Sequence, residues 1–286
     1  MINAKSVQKF FSTFAAMEQE MESFEKSFVA ALGSEVLQMD AVLRYMSSAR
    51  GKRFRPRLVF LSAQLFGAIN DATRRTALFV EMLHTATLIH DDVVDASDER
   101  RGQASVNARW DNKTAVLTGD FLLSKAMLQL VNPVDHQILS EMLCTAMAMS
   151  EGELLQNRSQ KTEEQNDSDF RPPTPELYLE IITRKTARLI RACCVCGALS
   201  VMGAKTEDRG RKTELVGEFG LNLGLVFQMR DDIMDDDDPQ ITALAKQLLP
   251  EYKERALKTL ESLAPHALSR EAIASLRELL FFYSKI

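Results

Sequence analysis

Residues 73–95 read TRRTALFVEMLHTATLIHDDVVD, and this stretch decides the fold class. Between Thr73 and His90 the only charged residues are Arg74, Arg75 and Glu81, and the next five positions bring Asp91, Asp92 and Asp95. A helix this apolar belongs at the centre of a bundle, not on its surface. On a helix, positions four apart share a face, so Asp91 and Asp95 point the same way. Stacked carboxylates repel by roughly a few tenths of a kcal/mol even when exposed. A near-copy, Asp231-Asp232-Ile233-Met234-Asp235, follows a second apolar stretch from Leu223 to Met229. Two such runs imply a cation to place between them.

The rest of the chain repeats the helical pattern. Lys5 to Leu32 spaces Phe10, Phe11, Phe14, Met17, Met21 and Phe24 as an amphipathic helix or helix pair. Further helices are expected over Glu35–Ser47, Arg57–Phe66, Thr114–Leu130, Gln137–Gln156, Ile181–Met202, Glu214–Met229, Ile241–Leu263 and Ser269–Tyr283. Pro56 sits where a first helical turn accepts proline. Asn132-Pro133 reads as a turn, Gly102–Asp111 as a polar loop, and Arg158–Pro175 as a mobile surface loop. Gly217, Gly220 and Gly224 on one helix face either admit a neighbouring helix closely or leave room for a ligand. No segment has strand periodicity. The expectation is an all-α bundle of about ten helices, with residues 1–286 forming one domain.

Composition narrows the function. A net charge of -5 argues against nonspecific nucleic-acid binding. Met1 to Met21 lacks a secretory signal layout, and no stretch reaches the roughly 18 apolar residues of a spanning helix, so a cytoplasmic protein is expected. Cys193, Cys194 and Cys196 fall in an apolar helical run without zinc-ligand spacing, and read as reduced and buried. Carboxylates alone suit a hard cation such as Mg2+, which is held by a few carboxylates plus substrate phosphates. The basic residues Lys52, Arg55, Arg100, Arg101 and Lys185 could take phosphate oxygens, arginine as a fork and lysine as a point charge. Carboxylates, metal and phosphate facing arginine describe a diphosphate site. No Walker pattern is present, so a nucleotide is not the expected owner of that diphosphate. If the two acidic helix ends face one another, about three Mg2+ ions could bridge one diphosphate, with apolar helix walls holding a hydrocarbon tail.

The motifs Gly51-Lys52-Arg53-Phe54-Arg55-Pro56, Glu81-Met82-Leu83-His84-Thr85-Ala86, Asp91–Asp95 with Arg100-Arg101-Gly102, Lys185-Thr186-Ala187 and Phe227-Gln228-Met229-Arg230-Asp231-Asp232 resemble, in order, those of the trans-type polyprenyl diphosphate synthases. The resemblance implies the isoprenoid-synthase bundle around a central apolar cavity, a homodimer, and head-to-tail condensation of isopentenyl diphosphate with an allylic diphosphate. It implies metal binding by Asp91, Asp95 and Asp231, with Asp92, Asp232 and Asp235 nearby. Arg100 and Lys185 would steady the leaving diphosphate, assisted by Thr186 and Gln228. Lys52, Arg55, His84 and Arg101 would hold isopentenyl diphosphate. In the family, residues just before the first aspartate run floor the tail pocket. The small Ala86 and Thr87 here, with Leu83 one turn back, point to a long octaprenyl- or heptaprenyl-like product such as a respiratory quinone tail. The alternatives are a shorter-chain (farnesyl or geranylgeranyl) synthase, a non-catalytic modulating subunit, and a terpene cyclase. Retention of both runs and of Lys52, Arg55 and His84 argues against the last two.

One departure stands out. The family carries a loop with Gly-Lys-Pro and Gly-Lys elements after the second run, then a helix beginning Thr-Leu-Pro. Here Asp235-Asp236-Asp237-Asp238-Pro239 leads almost directly into Ile241–Leu263. Either that loop is missing from the sequence as written, which the family-like pattern Leu276–Lys285 favours, or the protein lacks it and with it a diphosphate-contacting lysine.

Overall fold

The computed structural model describes residues 15–48, 51–131, 136–164 and 174–285. Its helices run α1 (Ala15–Ala31), α2 (Leu37–Ser48), α3 (Phe54–Gln64), α4 (Asp71–Val94), α5 (Val106–Arg109), α6 (Asn112–Gln129), α7 (His136–Glu164), α8 (Pro175–Ile182), α9 (Arg188–Leu199), α10 (Arg209–Asp235), α11 (Pro239–Leu263) and α12 (Arg270–Tyr283). The expected all-α class holds. The N-terminal part of the Lys5–Leu32 segment and the Asn132-Pro133 turn lie outside the described residues. Residues 158–164 of the expected loop at Arg158–Pro175 belong instead to α7, which continues to Glu164, and α8 starts at Pro175. Residues 165–173 lie outside the description.

Helix α4 is central, as its apolarity requires. Phe79, Val80 and Met82 are fully buried, and the helix packs on α3, α6 and α9. Its start is fixed by a capping box: Asn70 Oδ1 accepts from the Thr73 amide at 3.0 Å, and Thr73 Oγ1 accepts from the Asn70 amide at 3.3 Å. His90, near its far end, lies against Gly119 of α6 with Nε2 3.1 Å from the Val116 carbonyl. It is a packing residue there.

Helix α9 packs on α3 and α4 on one side and on α10 on the other, so it separates the two aspartate-bearing helices at a fixed spacing. The glycine stripe of α10 makes this possible. A Cβ on Gly224 would stand 2.6 Å from Ala187 Cα, and one on Gly220 would stand 2.9 Å from Cys194 Sγ. Of the two uses open to those glycines, close helix approach is the one adopted. Cys193, Cys194 and Cys196 are buried free thiols, with burial pushing Cys194 up to about 12, whereas Cys144 is exposed.

The Ile181–Met202 segment is not one uniform helix. Residues Thr183–Ala187 form a π-helical turn between α8 and α9. Single π turns of this kind are frequent at functional sites. A second difference is a minimal antiparallel ladder, β1 (Glu99–Arg100) with β2 (Gln103–Ala104). Two residues per strand are too few to show a period-two pattern. Arg101 and Gly102 both have positive φ, 55° and 76°, as the tight two-residue hairpin turn requires.

Between α10 and α11 the chain turns within three residues. Asp236 ends α10 in the left-handed conformation, with φ of 53°. Asp238 caps α11 by accepting from the Gln240 amide at 2.7 Å and the Ile241 amide at 3.3 Å, with Pro239 in the first turn. The two helices then pack closely along their lengths. The shortened connection is a complete, capped helical hairpin.

Because Gly224 carries the π turn against α10, Gly224→Ala should lower stability by about 1–3 kcal/mol. A urea midpoint unchanged from wild type would contradict this packing account.

Candidate active site

The first aspartate run closes α4. Asp92 is buried, and its Oδ1 accepts from Arg100 Nε at 2.8 Å and also from Arg100 Nη2. The β1–β2 hairpin delivers that arginine, which explains why Arg100 and Arg101 follow the run so closely. Asn107 Nδ2 donates to the Asp92 carbonyl at 3.3 Å and to the Ser97 carbonyl at 3.0 Å, fixing the chain beyond the helix end. Asp91 is half-buried, and burial, then the nearby Glu153 carboxylate, push its carboxyl up to about 6 against the opposing pull of Lys185. Asp95, the last residue of the run, is exposed.

The second run has the same division. Asp232 accepts from Tyr178 Oη at 2.6 Å on one oxygen and from Gln228 Nε2 at 2.8 Å on the other. Gln228 in turn accepts from Thr186 Oγ1 at 2.8 Å. Thr186 and Gln228, expected to act on substrate by hydrogen bonds, are therefore linked in a relay that ends on Asp232. Asp231 is pushed up to about 6, chiefly by burial and offset by Arg230. Asp235 is exposed at the end of α10. The middle aspartate of each run is thus committed to protein donors; of the outer ones, Asp95 and Asp235 are exposed and Asp231 lies beside Arg230.

Lys185 stands between the runs. Its charge acts on both Asp91 and Asp232, and its Nζ pairs with Glu153 Oε2 at 2.7 Å. A Cβ on Gly152 would lie 2.7 Å from the Lys185 backbone nitrogen, so only glycine lets α7 come this close to the π turn. Glu151 pairs with Arg184 on the flank.

Next to the second run lies a cavity of about 380 Å³ lined by Lys52, Arg55, His84, Arg101, Arg230 and Tyr283, among others. Arg55 Nη1 is 2.9 Å from His84 Nε2. Burial and four neighbouring arginines hold His84 well below its ordinary value, so it is neutral, and Nε2 is the acceptor from Arg55. Arg55 Nε is buried without a protein partner. Phe54, Phe227 and Tyr283 stack beside the cavity, with ring centroids 4.8–5.3 Å apart. The structure brings together the expected residues Lys52, Arg55, His84 and Arg101, and adds Arg230 and Tyr283. Arg230 is buried; its Nη1 is 3.5 Å from Asp231 Oδ1, and its Nε donates to the Lys285 carbonyl at 3.3 Å. Its signal was available in sequence as a lone arginine immediately before an acidic pair. Tyr178 and Glu153 gave none, since each lies far along the chain from its partner.

On α4, Leu83 and Ala86 are buried, and half-buried Thr87 donates its hydroxyl hydrogen to the His84 carbonyl at 2.9 Å. Among the described residues, no three Asp, Glu, His or Cys side chains converge into a ready-made metal cage. The outer carboxylates fit a cation that completes its shell with ligand phosphates, which is how Mg2+ is usually held.

Apolar helices, two carboxylate runs flanking one lysine and a separate cationic cavity define the isoprenoid-synthase class of all-α fold. A family model described as polyprenyl synthetase matches residues 36–247, and the chain belongs to that family. It is 35% identical over 217 residues to an octaprenyl diphosphate synthase of Escherichia coli, covering 76% of this chain and 63% of that protein. It is also 35% identical over 240 residues to heptaprenyl diphosphate synthase component 2 of Geobacillus stearothermophilus, covering 81% of this chain and 66% of that one. The chain therefore spans somewhat less than two thirds of the length of these curated relatives. A crystal structure of a polyprenyl synthase from Caulobacter crescentus, complexed with calcium and isoprenyl diphosphate, superposes with a TM-score of 0.80 at 26% identity, covering 96% of this chain and 98% of that one.

Asp91 and Asp231 have a testable pH signature. Their native carboxyls titrate near 6, above the ordinary 3.8, so the native state binds more protons than the unfolded chain between those values. Stability of the metal-free protein should fall as pH rises from about 4 to about 6. Added divalent cation should raise the melting temperature more at pH 7 than at pH 5, and an equal gain at both would contradict the assignment.

Proposed function

We propose that this chain is a Mg2+-dependent prenyltransferase that condenses isopentenyl diphosphate head-to-tail with an allylic diphosphate. The observation that carries the proposal is the pair of anion sites. One lies between the aspartate runs at Lys185; the other is the arginine-rich Lys52–Arg55–Arg101 cavity. A reaction joining two diphosphates, only one of which must leave, needs those two different sites.

Asp91, Asp95, Asp231 and Asp235 would hold the cation, about three ions with substrate bound, while Asp92 and Asp232 fix the neighbouring Arg100 and Gln228. When bound, Mg2+ supplies Lewis-acid stabilisation of the leaving diphosphate. Lys185 and Arg100 add fixed positive charge where negative charge develops. Lys52, Arg55 and Arg101 hold isopentenyl diphosphate with its double bond turned toward the allylic carbon, and neutral His84 keeps Arg55 oriented. The alkene attacks the allylic carbon as the carbon–oxygen bond breaks, and the proton lost afterwards passes to the departing diphosphate. No covalent enzyme intermediate is required.

The names of the relatives, octaprenyl and heptaprenyl synthases, and the small residues Ala86 and Thr87 support a long all-trans product for quinone side chains. The exposed apolar residues Val116, Leu117 and Leu128 of α6, with Met147 and Leu154 of α7, support a homodimer across these helices. No helix among the described residues is long and apolar enough to cross a membrane, in keeping with a cytoplasmic enzyme acting as one synthase domain.

Incubation with Mg2+, farnesyl diphosphate and labelled isopentenyl diphosphate should give extended prenyl diphosphates, and absence of any extended product refutes the proposal. Asp91→Asn should lower kcat by about 100-fold or more. Ala86→Phe should shorten the longest product, and an unchanged chain length would show that this position is not the ruler.

A further inference from the structure

The cationic cavity contains a carboxylate that its proposed ligand should avoid. Glu81 of α4 lines the same wall as Arg55, His84 and Arg101, and its charge acts on both Arg55 and Arg101. An unpaired carboxylate there would repel a diphosphate in a medium where charges are poorly screened. It is not unpaired. Arg53 Nη1 lies 2.6 Å from Glu81 Oε1, and the side chains are 7% and 5% exposed. The remaining edge of the guanidinium forks onto Glu25 of α1, with Nε 2.6 Å from Oε1 and Nη2 3.2 Å from Oε2. Its face lies 4.5 Å from the centroid of the Phe28 ring. Each of the three Arg53 nitrogens thus donates to a carboxylate, which commits the guanidinium to Glu81 and Glu25 at the cavity wall.

The backbone at Arg53 is equally specific. Its φ of 49° and ψ of 39° are left-handed, a region that residues with a Cβ avoid. That conformation, held by the two carboxylates, ends the Gly51–Arg53 loop and starts α3. It leaves Lys52 exposed and near enough to act on Asp231, while Arg55 turns inward onto His84.

We propose that Arg53 is a positioning residue for isopentenyl diphosphate: it neutralises Glu81 inside the anion cavity and pins the Gly51–Arg53 loop and the start of α3 to α1 through Glu25. The proposal rests on the reading of this cavity as the isopentenyl diphosphate site. It makes α1, which also contributes the core residues Phe24 and Phe28, part of the determinant of affinity for that substrate.

The test is calorimetric binding of inorganic pyrophosphate to the full chain in EDTA, so that only the metal-free cavity reports, together with KM values for both substrates in Mg2+. Arg53→Met should weaken pyrophosphate binding and raise KM for isopentenyl diphosphate by about 10- to 100-fold, with KM for farnesyl diphosphate within about twofold of wild type. The double variant Arg53→Met/Glu81→Gln should recover to within about threefold of wild type, because the exposed charge is gone. Should Arg53→Met fail to fold, Glu81→Gln alone decides: Arg53 stays paired to Glu25, and affinity should be unchanged or tighter. Affinity in Glu81→Gln weakened more than about tenfold, a double variant no better than Arg53→Met, or Arg53→Met equal to wild type would each overturn the proposal. Wild-type protein that binds pyrophosphate but extends no prenyl chain refutes only the synthase reading, whereas wild-type protein that binds no pyrophosphate refutes both.

Discussion

Mutual repulsion among the carboxylates at the ends of two apolar helices is the constraint that the rest of this structure answers. Asp91 and Asp231 sit where burial and like charges push each carboxyl up to about 6. The fold resolves part of the problem with its own donors. Arg100 takes Asp92, and Tyr178 with Gln228 takes Asp232. Lys185, set between the runs on a π turn, offsets both sides yet is itself tied to Glu153. Under the proposed function a bound cation would relieve the strain that remains at Asp91 and Asp231. Spacing matters as much as charge: α9 is seated against the glycine face of α10 and also packs on α4, so it ties together the two helices that carry the runs.

The two anion sites differ in how their charge is balanced. Between the runs the acidic side chains outnumber the basic ones, and under the proposed function a metal would make up the difference. In the Lys52–Arg55–Arg101 cavity arginine is already in place, His84 is kept neutral, the Glu81 carboxylate is masked by Arg53, and Asp231 at its edge lies beside Arg230. A diphosphate bound there has no need of a cation, which suits a group that stays attached while the other leaves. Arg230 is the physical link between the sites, since it lines the cavity while lying beside Asp231.

Much of this was legible in the sequence where local periodicity or a repeated motif carries the signal. The apolar stretch Thr73–His90 announced a central helix, and the doubled aspartate pattern announced two acidic helix ends. What escaped were features set by partners distant in the chain. Tyr178 reaches Asp232 across 54 positions, and Glu25 reaches Arg53 across 28. Nothing in the immediate surroundings of either residue marks it. The β1–β2 ladder is too short for any alternation to show, and the π turn at Thr183–Ala187 differs from a regular helix by one residue of register. The polar composition of the segment after Arg158 suggested a loop, yet α7 continues to Glu164, because polarity alone does not stop a helix that lacks a breaker. The direct junction from α10 to α11 was visible as a departure from the family pattern. Its physical adequacy was not, and it rests on the left-handed Asp236 and the cap at Asp238.

The central claim is that the two aspartate runs act jointly, through divalent cation, on one diphosphate. Calorimetric titration of a non-ionisable allylic thiodiphosphate tests it directly, comparing wild type with Asp91→Asn and Asp231→Asn, with and without Mg2+. The account predicts one ligand per chain, bound tightly only with Mg2+, and lost in either variant. Tight binding without Mg2+, or binding that survives when one run is neutralised, would contradict it.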